Sequence, residues 1–159
     1  MLLPIYLLIA LSSIPQTQPV THPVTSNRAT ACAVVTKADV EEAIGRRVND
    51  PTEETAGRSS NCDYAIKGGL VSITIQRLTA KPDLQAEIAA LKKEIPEGVV
   101  RNSSDFPQAC YLDIPGAGTQ LHIISNNNQH LMISILGLGD PSEVSAAALQ
   151  LARKAIARM

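Results

Sequence analysis

Aromatic residues are scarce in this chain: among 159 residues there are one Phe, three Tyr and no Trp. A hydrophobic core must therefore be built from aliphatic side chains, and the stacking platforms that bind single-stranded nucleic acids are missing. An excess of charge of one sign is missing too, since 14 Lys and Arg stand against 15 Asp and Glu, a formal net charge of −1. Without a basic field to attract phosphates, we expect no nucleic-acid partner.

Catalytic signatures are also missing. The chain contains no G-x-S-x-G, H-E-x-x-H, P-loop or C-x-x-C motif. The sequence therefore gives no evidence for the common hydrolytic, nucleotide-binding or dithiol chemistries. Gly137-Leu138-Gly139 superficially resembles a phosphate-binding turn. However, Asp140 would place a carboxylate where the phosphate sits, and Pro141 removes an N–H donor. We interpret the turn as the start of a helix and expect no catalytic residue and no cofactor.

The first 27 residues contain no Asp, Glu, Lys or Arg. Within them, Leu2 to Leu11 form an apolar run of the length expected for the h-region of a signal peptide, and too short to span a bilayer. Small residues at the −3 and −1 positions allow cleavage after Ser12. Residues 1–12 therefore predict a signal peptide and a secreted or extracytoplasmic location in the cell envelope. An uncleaved leader that anchors the protein and a misplaced start codon are the alternatives.

The stretch that follows, residues 13–30, is rich in Pro, Thr, Ser and Gln. This composition disfavours a helix and supplies little to bury, so it predicts a flexible tether. Residues 31–159 then have the length of a single domain with one core. No transmembrane span is expected after removal of the leader.

Hydrophobic periodicity divides the domain into elements. Thr36 and Asp39 are suited to cap a short helix over residues 37–44. The polar stretch after it, residues 46–60, predicts a loop. Apolar residues then alternate on both sides of Gly68-Gly69, which predicts a hairpin of two strands.

The second half of the domain continues the pattern. A second helix is predicted to begin at Pro82, where apolar residues start to recur at helical spacing. Residues 110–114 alternate as a strand, and Asp140-Pro141 begins the last helix. With the final hairpin, the predicted order is α-β-β-α-β-β-β-α. Short turns and half-polar strands favour an α+β fold, in which an antiparallel sheet of about five strands carries its helices on one face.

The pairing register of the two strands in the final hairpin can be predicted from the sequence. A three-residue loop at Asn126-Asn127-Asn128 pairs Leu121 with Ile133 and Ile123 with Leu131, so that all four face the core. A two-residue loop would leave a more polar inner face. We therefore predict the three-residue loop.

Three cysteines occur in the chain. Cys32 lies just before the first helix and Cys62 opens the first strand, each beside core residues. A disulfide between them would tie the 46–60 region to the sheet and stabilise the fold by roughly 3–4 kcal/mol in the chain-entropy account. Such a bond requires an oxidising compartment. Cys110 is in phase with the apolar face of its strand and is predicted to be a buried free thiol.

Cys32 to Gly45 (CAVVTKADVEEAIG), followed by Cys62-Asp63-Tyr64 and a hairpin, resembles exported bacterial domains of unknown function, many of them lipoproteins of high-GC Gram-positive bacteria. The Ala-rich last helix after Gly139-Asp140-Pro141 is similar to the same group. The resemblance spans residues 32–159 and implies a Cys–Cys link between the first helix and the first hairpin, and a sheet of the broad PsbP-like kind. It brings no catalytic residues. Because Cys32 belongs to the domain motif, a lipid anchor on it is not expected.

His122 and His130 share the outer face of the final hairpin in this register, in a diagonal relation, with Met132 nearby. Two histidines can begin a metal site. A third ligand is not evident in the sequence, and His22 lies in the predicted tether. We therefore interpret both histidines as solvent-facing and expect no metal ligands.

Three functions remain compatible with these features. The sequence favours a non-enzymatic binding or interaction domain, held outside the cytoplasm on a tether, whose partner is an unknown protein or small-molecule ligand. One alternative is a structural accessory domain of the cell envelope. The other is an enzyme of unrecognised type that uses Cys110 with a histidine.

Overall fold

A computed structural model describes residues 29–80, 83–125 and 127–159. Seven strands form one antiparallel sheet in the order β1-β2-β3-β7-β6-β5-β4. The predicted signal peptide lies outside the described residues, as does most of the predicted tether. The strands are β1 (Thr52–Ala56), β2 (Ser59–Ile66), β3 (Gly69–Arg77), β4 (Val99–Asn102), β5 (Ala109–Ile114), β6 (Gly118–Ser125) and β7 (Gln129–Leu136). The helices are α1 (Ala31–Val34), α2 (Lys37–Ile44), α3 (Leu84–Glu94) and α4 (Pro141–Arg158).

The α+β class is confirmed, but the prediction of five strands is wrong. The two extra strands, β1 and β4, are the edges of the sheet. Every residue of β1 is exposed and its sequence is TEETA, so it has no apolar alternation and is held by backbone pairing to β2. The predicted loop over 46–60 thus contains a polar edge strand. The short helix α1 was also not predicted, and the element order is α-α-β-β-β-α-β-β-β-β-α.

The prediction that all helices cover one face of the sheet is also wrong. Helices α1, α2 and α4 belong to the larger core, whereas α3 packs on the opposite face. Strand β5 explains why, because it is apolar on both sides: Ala109 and Tyr111 face the larger core, and Cys110 and Leu112 face α3. A strand of this kind requires cover on each face.

The larger core lies between α4 and the central strands. Its fully buried side chains include Tyr64, Ile133 and Leu151. The hydroxyl of Tyr64 donates a hydrogen bond to the carbonyl oxygen of Val35, so the largest buried side chain has a partner for its polar atom.

The predicted helix over 37–44 is confirmed as α2. Its N-cap is Thr36, whose side chain accepts a hydrogen bond from the Asp39 N–H, and Gly45 ends it in the left-handed conformation. Asp39 is buried and also accepts hydrogen bonds from Lys154 at 3.0 Å and from Arg158. This carboxylate therefore ties the start of α2 to the end of α4.

The predicted register of the final hairpin is confirmed. Leu121 pairs with Ile133, and Ile123 pairs with Leu131. Within the loop, Asn128 adopts a positive φ of 55°, which Asn tolerates better than most residues. Asn126 lies outside the described residues.

Cys32 and Cys62 form a disulfide, with their Cα atoms 5.1 Å apart. The bond joins α1 to β2, in agreement with the predicted pairing. Cys110 is a buried free thiol, as predicted. Among the described residues, no helix has the length and apolar character needed to cross a membrane.

Candidate metal centre

Helix α3 covers the face of the sheet opposite the larger core. Asp83 caps it by accepting a hydrogen bond from the Gln85 N–H at 2.9 Å. Pro82, where the helix was predicted to begin, lies outside the described residues. The inner face of α3 packs on strands β4 and β5 through Leu84, Ile88 and Leu91, and Ile95, directly after the helix, adds to the same cluster.

Glu87 belongs to the same inner face of α3. It lies three residues after Leu84 and four before Leu91, the spacing that places side chains on one side of a helix. Its side chain is only 27% exposed. A carboxylate on the sheet-facing side of a helix needs partners, because burial penalises its charged form.

The partners of Glu87 are His122 on β6 and His130 on β7. These histidines are diagonal across the strand pair, since His122 pairs with Met132 and His130 pairs with Ile124. This diagonal relation agrees with the sequence prediction. The prediction that both histidines face solvent is wrong, because the side chain of His122 is 2% exposed and that of His130 is 11% exposed. The error follows from placing all helices on the other face, because α3 supplies the cover.

Three donor atoms converge at this cluster. His122 Nδ1 and His130 Nε2 are 3.1 Å apart. Glu87 Oε1 lies 3.3 Å from His122 Nδ1 and 3.8 Å from His130 Nε2. A tetrahedral zinc ion with bonds of 2.0–2.1 Å has ligand atoms about 3.3 Å apart. The triangle formed by these three atoms therefore has nearly the dimensions of one face of such a tetrahedron.

Gln120 fixes the orientation of the His122 ring. Its side-chain oxygen lies 3.3 Å from His122 Nε2, so the Nε2–H can donate to it. The lone pair of a neutral ring then resides on Nδ1, the atom that faces Glu87 and His130. A carbonyl partner on the far nitrogen is the usual arrangement for a metal-binding histidine.

The surroundings favour the protonation states that a metal needs. In the absence of a metal ion, a proton on His122 Nδ1 allows this ring to donate to Glu87, and the hydrogen bond holds the pKa of Glu87 below its usual range, so the carboxylate is ionised. A bound metal ion would take the place of that proton. Burial lowers the pKa of His130, so its ring is neutral near pH 7. Ligands must be in these forms to coordinate a metal.

Cys110 lies directly across the strand pair from His122. A nucleophilic cysteine needs exposure and a lowered pKa. Cys110 has neither, because it is fully buried and burial raises the pKa of its thiol to about 11, with the charge of Glu87 acting in the same direction. In this structure Cys110 thus lacks both features that a nucleophilic cysteine needs.

We expect Cys110 to resist alkylation in the folded protein. With the disulfide intact, N-ethylmaleimide should modify no cysteine over hours at pH 7 and should modify one within minutes in urea, as measured by mass spectrometry. The reason is that the thiol reacts as thiolate and must first be exposed. Rapid alkylation of Cys110 in the native state would instead support the enzyme hypothesis.

The Gly137-Leu138-Gly139 turn leads into α4, as interpreted from the sequence. Asp140 is the N-cap and Glu143 accepts a hydrogen bond from its N–H at 3.1 Å. The start of α4 is thus already capped by its own carboxylates, an arrangement that disfavours a phosphate.

No protein-family model, curated protein or solved structure matches this chain. The resemblance to exported bacterial domains stays a prediction from the motifs around Cys32 and Cys62. The case for function rests on the geometry of the side chains.

Proposed function

We propose that this protein is a non-enzymatic, extracytoplasmic domain that binds a divalent transition-metal ion through Glu87, His122 and His130. The convergence of three donor atoms at tetrahedral spacing carries the proposal. Two imidazole nitrogens and one carboxylate oxygen form a ligand set that suits zinc, and related ions of the first transition row also accept it. Three protein ligands leave a fourth position for water or another small ligand.

The composition of the cluster supports a binding role over a structural one. Among the described residues, the apolar core under α3 is small, with three buried members, Leu91, Cys110 and Leu112. Apolar side chains in place of the two histidines would add to that core without the cost of desolvating polar groups. A metal ion would offset that cost, because buried polar groups that coordinate metals are compensated.

The ligands come from two layers of the fold. Glu87 belongs to helix α3, whereas both histidines belong to the central part of the sheet. A bound ion would therefore cross-link α3 to β6 and β7, and binding would stabilise the packing of this helix.

The disulfide supports an extracytoplasmic location. Bonds of this kind persist in oxidising compartments and are rare in the cytosol. The charge-free apolar leader predicted for residues 1–12 would deliver the chain there, and the proposed location rests on both features.

The metal proposal predicts a defined calorimetric result. We expect Zn²⁺ to bind the untagged full chain with one-to-one stoichiometry in the micromolar range or tighter, as measured by isothermal titration calorimetry at pH 7. Glu87→Gln keeps the shape of the side chain but removes its charge, and should weaken binding by about 100-fold, since loss of a ligand costs at least as much as loss of its supporting residue. His122→Asn should do the same. Gln120→Leu, which affects only ring orientation, should weaken binding by about 10-fold.

A matched control is available on the same helix. Glu94 is exposed near the end of α3, so Glu94→Gln makes the same change of charge and should leave the affinity unchanged. Co²⁺ in place of Zn²⁺ should give the visible absorption of a tetrahedral site, which reports on coordination independently of heat. Zinc binding no stronger than millimolar, or equal binding in the wild type and Glu87→Gln, would contradict the proposal.

A further inference from the structure

A second polar cluster lies at the far end of the β2–β3 hairpin. Arg58 immediately precedes β2 and Arg77 ends β3. The N–H of Arg77 donates to the carbonyl oxygen of Arg58 at 3.0 Å, which continues the ladder one step beyond the Ser59–Gln76 pair. Residues directly opposite each other in an antiparallel pair project from the same face. The two guanidinium groups therefore lie on one side of the sheet.

A cavity of about 170 Å³ lies between these arginines and the start of α1. Arg77 is half-buried and Arg58 is exposed, so the cavity is open at the Arg58 end. Its size is similar to that of protein cavities that hold one small organic molecule. Besides the two arginines, the residues that line the cavity include Thr30, Thr55 and Ser60, whose side chains carry hydroxyl groups.

The two arginines of this cavity have no carboxylate partner. Within the described part of the chain, neither Arg58 nor Arg77 forms an ion pair; the exposed Arg46 and Arg47 also form none, whereas Arg101, Arg153 and Arg158 each contact a carboxylate. Like charges directly opposite each other destabilise a pair of strands. An anion between the two guanidinium groups would remove this repulsion.

We propose that Arg58 and Arg77 bind a small oxyanion, the phosphate or carboxylate group of a ligand. A planar guanidinium group can donate two parallel hydrogen bonds to two oxygen atoms of such a group, and two guanidinium groups can bind it from both sides. Hydroxyl groups of the wall supply further donors. The site is separate from the metal cluster, which lies on the opposite face of the sheet.

Calorimetric titration with inorganic phosphate, and separately with acetate, tests this site at constant ionic strength. We expect the wild-type full chain to bind at least one of the two in the millimolar range or tighter. Arg58→Gln and Arg77→Gln should each weaken that binding at least tenfold. Arg47→Gln, at an exposed position outside the cavity, is the matched control and should bind as the wild type does.

Each outcome has a defined meaning. Binding of phosphate alone assigns a phosphate-bearing ligand, binding of acetate alone assigns a carboxylate, and binding of both supports a general oxyanion site. Binding of neither, or equal affinity in the wild type and the Arg58→Gln and Arg77→Gln variants, would overturn the proposal. The titration uses no metal ion, and the cavity contains no residue of the metal cluster, so failure of the metal proposal would not affect this test.

Discussion

Removal of the Cys32–Cys62 disulfide, by replacing both residues with Ala, is expected to lower the free energy of unfolding by roughly 3–4 kcal/mol. The bond closes a segment with a sequence separation of 30, and without it the unfolded chain gains the conformational freedom of that loop. Cys62 is also fully buried, so Ala leaves some space at that position. The measurement is urea denaturation followed by circular dichroism.

The reduced wild type provides an independent comparison. Unfolding in the presence of dithiothreitol should show most of the loss found for the double-Ala variant, because both lack the bond and only the variant also has shortened side chains. Cys110→Ala is the control for removal of a cysteine outside the disulfide and should respond to dithiothreitol as the wild type does. If reduction left the denaturation midpoint unchanged, the constraint would contribute nothing measurable to stability.

Asp39→Ala is expected to cost about 2–4 kcal/mol, since it removes one half of the capping box of α2 together with charge-assisted hydrogen bonds. The carboxylate is buried and accepts from Thr36, Lys154 and Arg158. Its loss leaves the backbone N–H of Thr36 without its partner in the capping box of α2 and removes the side-chain link between α2 and the end of α4. The free energy of unfolding from urea titrations at pH 7 measures the effect.

The same carboxylate predicts how stability depends on pH. The Arg158 guanidinium holds the pKa of Asp39 well below its usual range in the folded protein. The unfolded chain therefore takes up a proton at this site at a pH where the folded chain does not, and stability falls as the pH drops below about 5. In Asp39→Ala this part of the acid sensitivity should disappear.

Asp50 offers a control for Asp39. It also pairs with a lysine, Lys37, at 2.8 Å, but its side chain is 93% exposed. Exposed ion pairs contribute little to stability, so Asp50→Ala should leave the denaturation midpoint nearly unchanged. Equal effects of Asp39→Ala and Asp50→Ala would contradict the assigned role of the buried carboxylate.

Much of the sheet could be predicted because apolar alternation sets the register of its central strands. The pairing of Leu121 with Ile133 follows from requiring one apolar face, and the cap of α2 follows from Thr36 and Asp39. The edge strands could not be predicted in this way. Strand β1 is exposed along its whole length, and only backbone pairing distinguishes it from a loop.

The candidate site could be predicted only in part, for a different reason. The two histidines were correctly placed together on the outer face of the hairpin, but their burial depends on α3, which lies far from them in sequence. Glu87 did leave a signal, because it is an acid in phase with Leu84 and Leu91 on an otherwise apolar helix face. That signal gains meaning only once the helix is assigned to the face that carries the histidines.

The order of the strands has a consequence for how the chain assembles. Strands β1 to β3 and β4 to β7 are two meanders built from local pairings, and they join only where β3 pairs with β7, from Leu70 with Leu136 to Arg77 with Gln129. Pairings so distant in sequence form slowly, because a long loop must close before they add stability. Until they form, β3 and β7 are unpaired edges, and intermediates with such edges associate with other chains. We therefore expect aggregation to compete with folding at the step in which β3 pairs with β7.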